Sequence, residues 1–326
     1  MLRKKEEGGV IPELVTIGET CAVLVAKSCG PLRYSHEFER RIGGAESTVA
    51  VGVARLGHSA GWVSKLGRDE FGEYVMGVMR AENVDVSAVS RTSAAQTGVF
   101  FRESRASGSS SVYYYRSGSA FSTFEPEDLD EEYIAGARIL HLTGITPGLS
   151  KSCGKVVDRA LDVAKANGVK VVLDPNYRAK LWPSSDARPV LESLMLRADF
   201  VLAGEEDLVK LTGITGEGRL ISYLHDLGIS DVVLKLGREG AILSNDKGVD
   251  RIASYLTDQP VDRFGVGDSF AAGFLVGLLD GKNLREAVSL GNAVAGWSIR
   301  LPGNIEALPS RKDLEDFQNS SNFVIR

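Results

Sequence analysis

Several features that would define a specialised class of protein are missing from this chain of 326 residues. The three cysteines, Cys21, Cys29 and Cys153, form no C-x-x-C pair and have no metal-ligand spacing with the four histidines, so the sequence shows neither a disulfide framework nor a zinc site. We expect them to be reduced residues that pack in the interior. No basic block could follow a nucleic-acid backbone, and the formal net charge is -5.

Long hydrophobic runs are missing too. The longest apolar stretch, residues 270–279, is about half as long as a membrane span. The N-terminus is charged and lacks the apolar core of a signal peptide. We therefore expect a cytoplasmic protein with no nucleic-acid or membrane partner.

What is present is typical of a large globular domain, with 43% hydrophobic and 25% charged residues. Residues 13–26 read as opening strands, and short apolar runs then alternate with segments of helical apolar spacing. This alternation predicts an α/β fold: a doubly wound, mostly parallel sheet flanked by helices. The later strand-like runs are residues 60–66, 138–142, 169–173, 200–202, 231–236 and 240–243. The helix-like segments are residues 45–56, 73–81, 155–167, 191–196, 207–211, 220–226 and 284–299.

Two stretches interrupt the alternation, residues 27–42 and 97–119. The second contains two strand-like runs, residues 99–101 and 112–115. We interpret both stretches as strands of a smaller sheet that forms a lid over a site in the main domain; the alternative is a surface hairpin that only packs. An exposed, apolar lid face with Phe100 and Phe101 would pair two chains in a homodimer.

The strongest chemical motif is residues 261–274, which lead into an apolar helical run. Gly265 and Gly267 allow a tight turn, so the amides from Gly265 through Val266 to Asp268 would point into one anion-binding pocket at a helix N-terminus. Asp268 lies in the first turn, where the helix dipole favours a carboxylate, and we expect it to be ionised at neutral pH. Such a carboxylate suits a general base; the alternative is an ordinary loop with an aspartate cap.

A second motif, residues 43–57, stands more than 200 residues earlier in the chain. Together the two motifs resemble the N-terminal and C-terminal signatures of the PfkB, or ribokinase-like, carbohydrate kinases. The resemblance implies one kinase domain over residues 1–326 with a small β-sheet lid, flexible tails at residues 1–12 and 319–326, and ATP-dependent phosphorylation of a small sugar. It implies Asp268 as the base, with Gly265, Val266 and Gly267 binding the transferring phosphoryl group. Mg²⁺ would accompany ATP, and such kinases commonly use a monovalent cation such as K⁺ as well.

Three local features resemble the 2-keto-3-deoxygluconate kinases of that family: residues 43–46, 113–120 and 174–178. This resemblance implies phosphorylation of 2-keto-3-deoxygluconate to its 6-phosphate, with the Arg116 guanidinium on the sugar carboxylate. The implied sugar contacts are Gly43, Gly44, Thr48, Phe100, Tyr114, Arg116, Arg178 and Asp268. The alternatives are a kinase of fructose, 5-keto-2-deoxygluconate or ribose, or a non-catalytic protein that senses a sugar or nucleotide on the same fold.

The family resemblance also implies a nucleotide site. Its residues are Asn176, Lys235, Gly237, Gly240, Gly265, Gly267 and Asn292, and Asp207 is the implied metal contact. Some positions depart from the family pattern: Thr48 stands where asparagine is usual, Asn304 where aspartate is frequent, and residues 204–207 replace an Asn-x-x-Glu element.

Two other kinds of chemistry are not favoured. An early Gly-x-Gly-x-x-Gly after the first strand is missing, which argues against a dinucleotide oxidoreductase. The histidines are scattered, and we expect His141, at the end of an apolar strand, to be a hydrogen-bonded core or rim residue rather than a metal ligand.

Overall fold

Two separate sheets are present in the computed structural model, which describes residues 11–104, 110–182, 187–255 and 260–319. The strands are β1 (Leu14–Ile17), β2 (Cys21–Cys29), β3 (Phe38–Gly43), β4 (Ala60–Gly67), β5 (Val89–Thr92), β6 (Val99–Ser104), β7 (Ser110–Tyr115), β8 (Ile139–Thr143), β9 (Lys170–Asp174), β10 (Phe200–Gly204), β11 (Val232–Lys235), β12 (Ala241–Asn245) and β13 (Gly248–Ile252). The α-helices are α1 (Ala45–Arg55), α2 (Glu70–Ala81), α3 (Glu131–Ala135), α4 (Lys151–Asn167), α5 (Ala187–Met195), α6 (Glu205–Thr212), α7 (Glu217–Asp226), α8 (Val266–Leu279), α9 (Leu284–Ser298) and α10 (Arg311–Asn319).

The large sheet has nine strands in the order β13-β12-β11-β10-β9-β8-β1-β4-β5. Its strands run parallel from β11 to β5, and β12 and β13 pair antiparallel at one edge. The predicted doubly wound, mostly parallel sheet is therefore confirmed. Every helix and strand predicted after residue 26 is present, with ends shifted by a few residues. Four further elements were not predicted, because their apolar patterns are weak: β5, β13, α3 and α10.

Helices cover both faces of this sheet because its strands are apolar on both sides. On β1, Val15 and Ile17 join one core cluster and Leu14 joins the other. The first cluster lies under α3 to α7, and the second under α1, α2, α8, α9 and α10. Burial on two faces accounts for the continuous apolar runs of the parallel strands.

The small sheet has the order β3-β2-β6-β7, and we call it the lid. We predicted that the lid begins at residue 27, but its first strand begins at Cys21. This boundary was wrong because an alternating apolar pattern does not show which of two sheets a strand joins. Phe100, which we placed on an exposed lid face, is only 4% exposed and points inward. Phe101 lies on the other face, with its ring 5.5 Å from those of Phe38 and Tyr115.

Other sequence-based expectations have mixed outcomes. Ile11 and Pro12, predicted as part of a tail, are buried, and residues 1–10 and 320–326 lie outside the described residues. Cys21, Cys29 and Cys153 are free, and Cys29 is exposed rather than packed. Among the described helices, none combines the length and the apolar character that a membrane span requires.

Candidate active site

Charged side chains from several elements meet at the carboxyl ends of the central strands. β9 ends at Asp174 and β11 ends at Lys235, and the Nζ of Lys235 lies 2.5 Å from an Asp174 carboxylate oxygen. A Cβ atom built on Gly267 would lie 3.8 Å from the same Nζ, so the ammonium group also adjoins the start of α8. Ligands of open α/β sheets bind at this edge.

The start of α8 has the geometry of an anion-binding turn. Gly265 has a φ of +74° and caps the helix, and a Cβ there would lie 1.9 Å from the Asn304 Oδ1, so no other residue fits without a shift. The amide of Ser269 donates to the Gly265 carbonyl at 2.8 Å. The preceding amides, from Val266 to Asp268, have no intrahelical acceptor because they precede the first helical hydrogen bond. We call residues 265–268 the anion loop.

The Asp268 carboxyl group lies in the first turn of α8 and is partly buried. The pKa of this group is raised to about 7, first by burial and then by the neighbouring Asp174 carboxylate, whereas Arg178 and Lys235 oppose the increase. With a pKa of about 7 the group is only partly ionised at neutral pH in the ligand-free protein, contrary to our expectation of an ionised carboxylate. The helix dipole is outweighed because desolvation and a neighbouring carboxylate both favour the neutral form.

A cavity of about 480 Å³ opens on the side of the anion loop that faces α9. Most of the predicted nucleotide residues line this cavity, and Asp207 lies on its wall. The lining residues that were predicted are Asp207, Lys235, Gly237, Gly240, Gly267 and Asn292. Gly265 and Asn176 are not among the lining residues. Arg238 and Arg263 add positive charge to the wall, which suits a polyphosphate.

Asn292 shapes the cavity through the backbone. It is 4% exposed, and its Nδ2 donates to the carbonyls of Ile252 and Ala253, each at 3.1 Å. The side chain therefore ties α9 to the end of β13. Asn176 instead follows β9 with a φ of +36°, and its amide donates to the Asp174 carboxylate at 3.0 Å.

Arg178 and Asp207 form an ion pair at 3.5 Å beside the cavity. Burial raises the pKa of Asp207, and Arg178 opposes that increase. Among the described residues, no group of three or more histidine, cysteine, aspartate or glutamate side chains is arranged to hold a metal ion. A lone carboxylate nevertheless fits Mg²⁺ that is held mainly by nucleotide phosphates, because this ion commonly takes one or two protein carboxylates.

Next to Gly265, two of the atypical residues form a hydrogen bond with each other. The Asn304 Nδ2 donates to the Thr48 hydroxyl at 2.6 Å, and that hydroxyl donates to the Gly44 carbonyl at 2.6 Å. Thr48, predicted to contact the sugar, thus links α1 to the C-terminal segment. Gly44 is needed here because a Cβ would lie 2.5 Å from the Glu19 carbonyl oxygen.

Arg116, the predicted anchor for a sugar carboxylate, already has a partner. Its Nε and Nη2 lie 2.7 and 2.5 Å from one carboxylate oxygen of Glu19, which is 4% exposed. The guanidinium also lies 5.6 Å from the centre of the Tyr114 ring. Glu19 therefore fixes the orientation of Arg116 and leaves Nη1 outside the pair.

The inner lid face packs against Phe264, the residue directly before the anion loop. The Phe100 ring lies 5.5 Å from Tyr114 and 6.1 Å from Phe264, and a Cβ on Gly43 would lie 2.7 Å from the Phe100 ring. Tyr114 remains 38% exposed. The structure thus brings Gly43, Phe100 and Tyr114, three of the predicted sugar residues, together beside Phe264.

Sequence reasoning missed several site residues. Glu19, Asp174 and Glu46 are buried, and the Thr143 hydroxyl donates to Glu46 at 2.6 Å. A signal existed for Asp174, since an acidic residue closed a buried strand. His141 is buried, but neither ring nitrogen has a hydrogen-bond partner among the described residues, so the prediction of a hydrogen-bonded residue is wrong.

Comparisons with known proteins agree with this geometry. The family model described as "pfkB family carbohydrate kinase" matches residues 12–311. The chain is 34% identical to a 2-dehydro-3-deoxygluconokinase of Bacillus subtilis (strain 168), over 96% of this chain and 97% of that protein. It is 31% identical to a 5-dehydro-2-deoxygluconokinase of the same organism, over 93% of this chain and 94% of that protein.

Solved structures show the same fold. A 2-dehydro-3-deoxygluconokinase from Thermotoga maritima superposes with a TM-score of 0.84 at 29% identity, covering 94% of this chain and 99% of that one. A sugar kinase from Pyrococcus horikoshii in complex with ATP gives a TM-score of 0.79 at 28% identity, covering 92% and 96%. With its two signature motifs placed around one site, the chain belongs to the pfkB family of carbohydrate kinases.

Proposed function

We propose that this protein transfers the terminal phosphoryl group of ATP to a hydroxyl of a small sugar acid, with 2-keto-3-deoxygluconate as acceptor and its 6-phosphate as product. The observation that carries the proposal is the position of Asp268. Its carboxyl group stands in the first turn of α8, next to the open amides. Val266 and Gly267 of the same turn line the cavity, and Phe264, just before the turn, packs against Phe100 of the lid. The two relatives with 34% and 31% identity both carry names of kinases of deoxy keto sugar acids.

The chemistry follows from the residues present. Asp268 accepts the proton of the acceptor hydroxyl as its oxygen forms a bond to the γ-phosphorus and the bond from that phosphorus to the β-phosphate oxygen breaks. The amides of residues 266–268 donate hydrogen bonds to the phosphoryl oxygens, where negative charge accumulates. The Lys235 ammonium group, beside Gly267, offsets part of the negative charge on these phosphoryl oxygens. A general base works best when its pKa lies near the working pH, and a pKa of about 7 meets this condition.

The cavity beside the anion loop fits a nucleotide. Its volume of about 480 Å³ lies within the range of small-molecule sites, and Lys235, Arg238 and Arg263 lie on its wall. Asp207 would hold Mg²⁺ together with the nucleotide phosphates. When bound, the ion would offset phosphate charge and help to orient the phosphates.

The acceptor side fits a carboxylate. The Arg116 guanidinium is held by the Glu19 carboxylate and keeps Nη1 outside that pair, so it can donate to an acid group of the sugar. Tyr114 and Phe100 would cover the sugar from the lid. A closed lid excludes water, which limits hydrolysis of ATP.

Three further properties are part of this proposal. The family resemblance supports a monovalent cation such as K⁺ near the anion loop. The outer lid face carries Phe38, Phe101 and Tyr115, with Tyr115 68% exposed, which supports a homodimer that forms through the lid. The three free cysteines are consistent with a cytoplasmic location.

A coupled ADP-release assay with Mg-ATP tests the acceptor. The panel is 2-keto-3-deoxygluconate, 5-keto-2-deoxygluconate, fructose, ribose and adenosine. We expect highest kcat/KM on 2-keto-3-deoxygluconate and a loss on the order of 10²-fold in Arg116→Ala, mainly through KM, because a charge-assisted contact is removed. Arg159→Ala, which removes an exposed ion pair on α4, is the matched control. Preferential turnover of a neutral sugar would contradict the sugar-acid assignment.

A further inference from the structure

An ion pair joins the lid to the segment that precedes the anion loop. The Nη1 and Nη2 atoms of Arg102, on β6, donate to the two carboxylate oxygens of Asp262 at 2.7 and 2.6 Å. The two side chains are only 12% and 10% exposed. This two-point geometry fixes both position and orientation, unlike a single contact between flexible surface charges.

Asp262 passes this restraint to two backbone segments. Its carboxylate accepts hydrogen bonds from the amide of Phe264 at 3.0 Å and from the amide of Gly303 at 3.1 Å. Burial by itself would raise the pKa of Asp262, but the hydrogen bonds from Arg102 and from these amides hold the pKa below its ordinary value. Phe264 directly precedes Gly265, and Gly303 directly precedes Asn304, whose Oδ1 crowds Gly265.

Packing reinforces the ion pair. The Arg102 guanidinium lies 4.9 Å from the centre of the Phe264 ring, and the same ring lies 6.1 Å from Phe100. Arg102 and Phe100 stand two residues apart on β6, so they project from one face of the lid. A displacement of β6 would therefore break two contacts at once: the ion pair between Arg102 and Asp262, and the ring contact between Phe100 and Phe264.

We propose that Arg102 is a positioning residue that couples closure of the lid to the order of the anion loop. With the lid in place, Arg102 holds Asp262, and Asp262 holds the backbone at Phe264, before Gly265, and at Gly303, before Asn304. With the lid displaced, Asp262 loses its cation and the amides that bind the phosphoryl group lose their fixed position. This role rests on the proposed kinase activity. Through Arg102, phosphoryl transfer would depend on a lid that is closed over the acceptor.

Other charges face the same carboxylate. Arg41, on β3 of the lid, contributes a second positive charge near Asp262 and Glu306, while it hydrogen-bonds to Glu39 at 2.8 Å. Arg41 adds to the attraction between the lid and this region, but its hydrogen bond goes to its own strand. The hydrogen-bonded ion pair that crosses from the lid to the loop segment, within the described residues, is that of Arg102 with Asp262.

The test compares Arg102→Gln, Asp262→Asn and the double variant. We expect each single variant to lower kcat on the order of 10²-fold, as small misplacements of catalytic groups do, with KM for ATP changed less than threefold. The double variant should be no worse than either single one, because both act through one contact. Arg102→Lys should recover only part of the activity, because it lacks the two-point fork. Lys27→Gln, which removes an exposed lid ion pair, is the control.

Hydrogen exchange of the ligand-free protein tests the coupling between lid and anion loop independently of the proposed kinase function. Arg102→Gln should speed exchange at the amides of Phe264 and Gly303, which donate to Asp262, without a comparable change in α4. Multiplicative losses of kcat in the double variant, or unchanged exchange at both amides, would overturn the proposal even if the wild type is an active kinase. A wild type that turns over no sugar would contradict the kinase function, while the exchange result would still report on the coupling.

Discussion

Replacing Asp268 with asparagine removes the group whose pKa the fold shifts from its ordinary 3.8 to about 7. A raised pKa means that the protonated carboxyl group stabilises the fold relative to the ionised one. This contribution is complete below the ordinary pKa and is lost as the pH rises through the folded value of about 7. The substituted protein carries a neutral amide at every pH and escapes this loss.

The size of the effect follows from the shift. With a pKa of 3.8 in the unfolded chain and about 7 in the folded one, linkage lowers the free energy of unfolding by about 2.6 kcal/mol between pH 5 and pH 8. Asp268 is only partly buried, so solvent screening reduces this figure to about 1 to 2 kcal/mol. For a chain of 326 residues this corresponds to a change in Tm of about 1.5 to 3 °C.

Thermal unfolding by circular dichroism at pH 5 and pH 8 measures this change. The Tm of Asp268→Asn minus that of wild type should increase by about 1.5 to 3 °C from pH 5 to pH 8. Asp158→Asn, at a carboxylate that is 61% exposed, controls for the loss of one surface charge. If the Tm difference is the same at both pH values, or is smaller at pH 8, the reasoning about burial and Asp174 is refuted.

Two substitutions test the neighbours of this carboxyl group. Lys235→Met removes a cation that lowers the pKa of Asp268, so the rise of kcat/KM with pH should move to higher pH. If this pH profile is unchanged or moves to lower pH, the assignment of the rise to Asp268 is contradicted. Gly265→Ala should lower the free energy of unfolding, measured by urea denaturation, by about 1 to 3 kcal/mol, because Gly265 has a φ of +74° and a Cβ there would contact Asn304. An unchanged urea midpoint would contradict this explanation.

The anion loop was predictable because its chemistry is contiguous. Two glycines, an aspartate and an apolar helical run stand within one short segment, so local rules predict the turn, the open amides and the acid. The sheet was predictable for a similar reason, since strands buried on both faces leave apolar runs. Lid boundaries were less certain, because an alternating strand such as β2 does not reveal which sheet it joins.

The electrostatic environment was not predictable. The pKa of Asp268 depends on Asp174, which lies 94 positions earlier in the chain, and the orientation of Arg116 depends on Glu19, which lies 97 positions away. Such contacts arise from topology rather than from local pattern. The same holds for Thr48 and Asn304, two atypical residues that prove to be hydrogen-bonded partners.

The most direct test of the central claim is ADP release by Asp268→Asn, with ATP affinity measured on the same preparation. We predict that kcat on the preferred sugar acid falls by about 10²- to 10⁴-fold, as for the loss of a general base, while the Kd for ATP changes less than threefold. A variant that binds ATP normally and retains kcat within tenfold of wild type would contradict the assignment of Asp268 as the base.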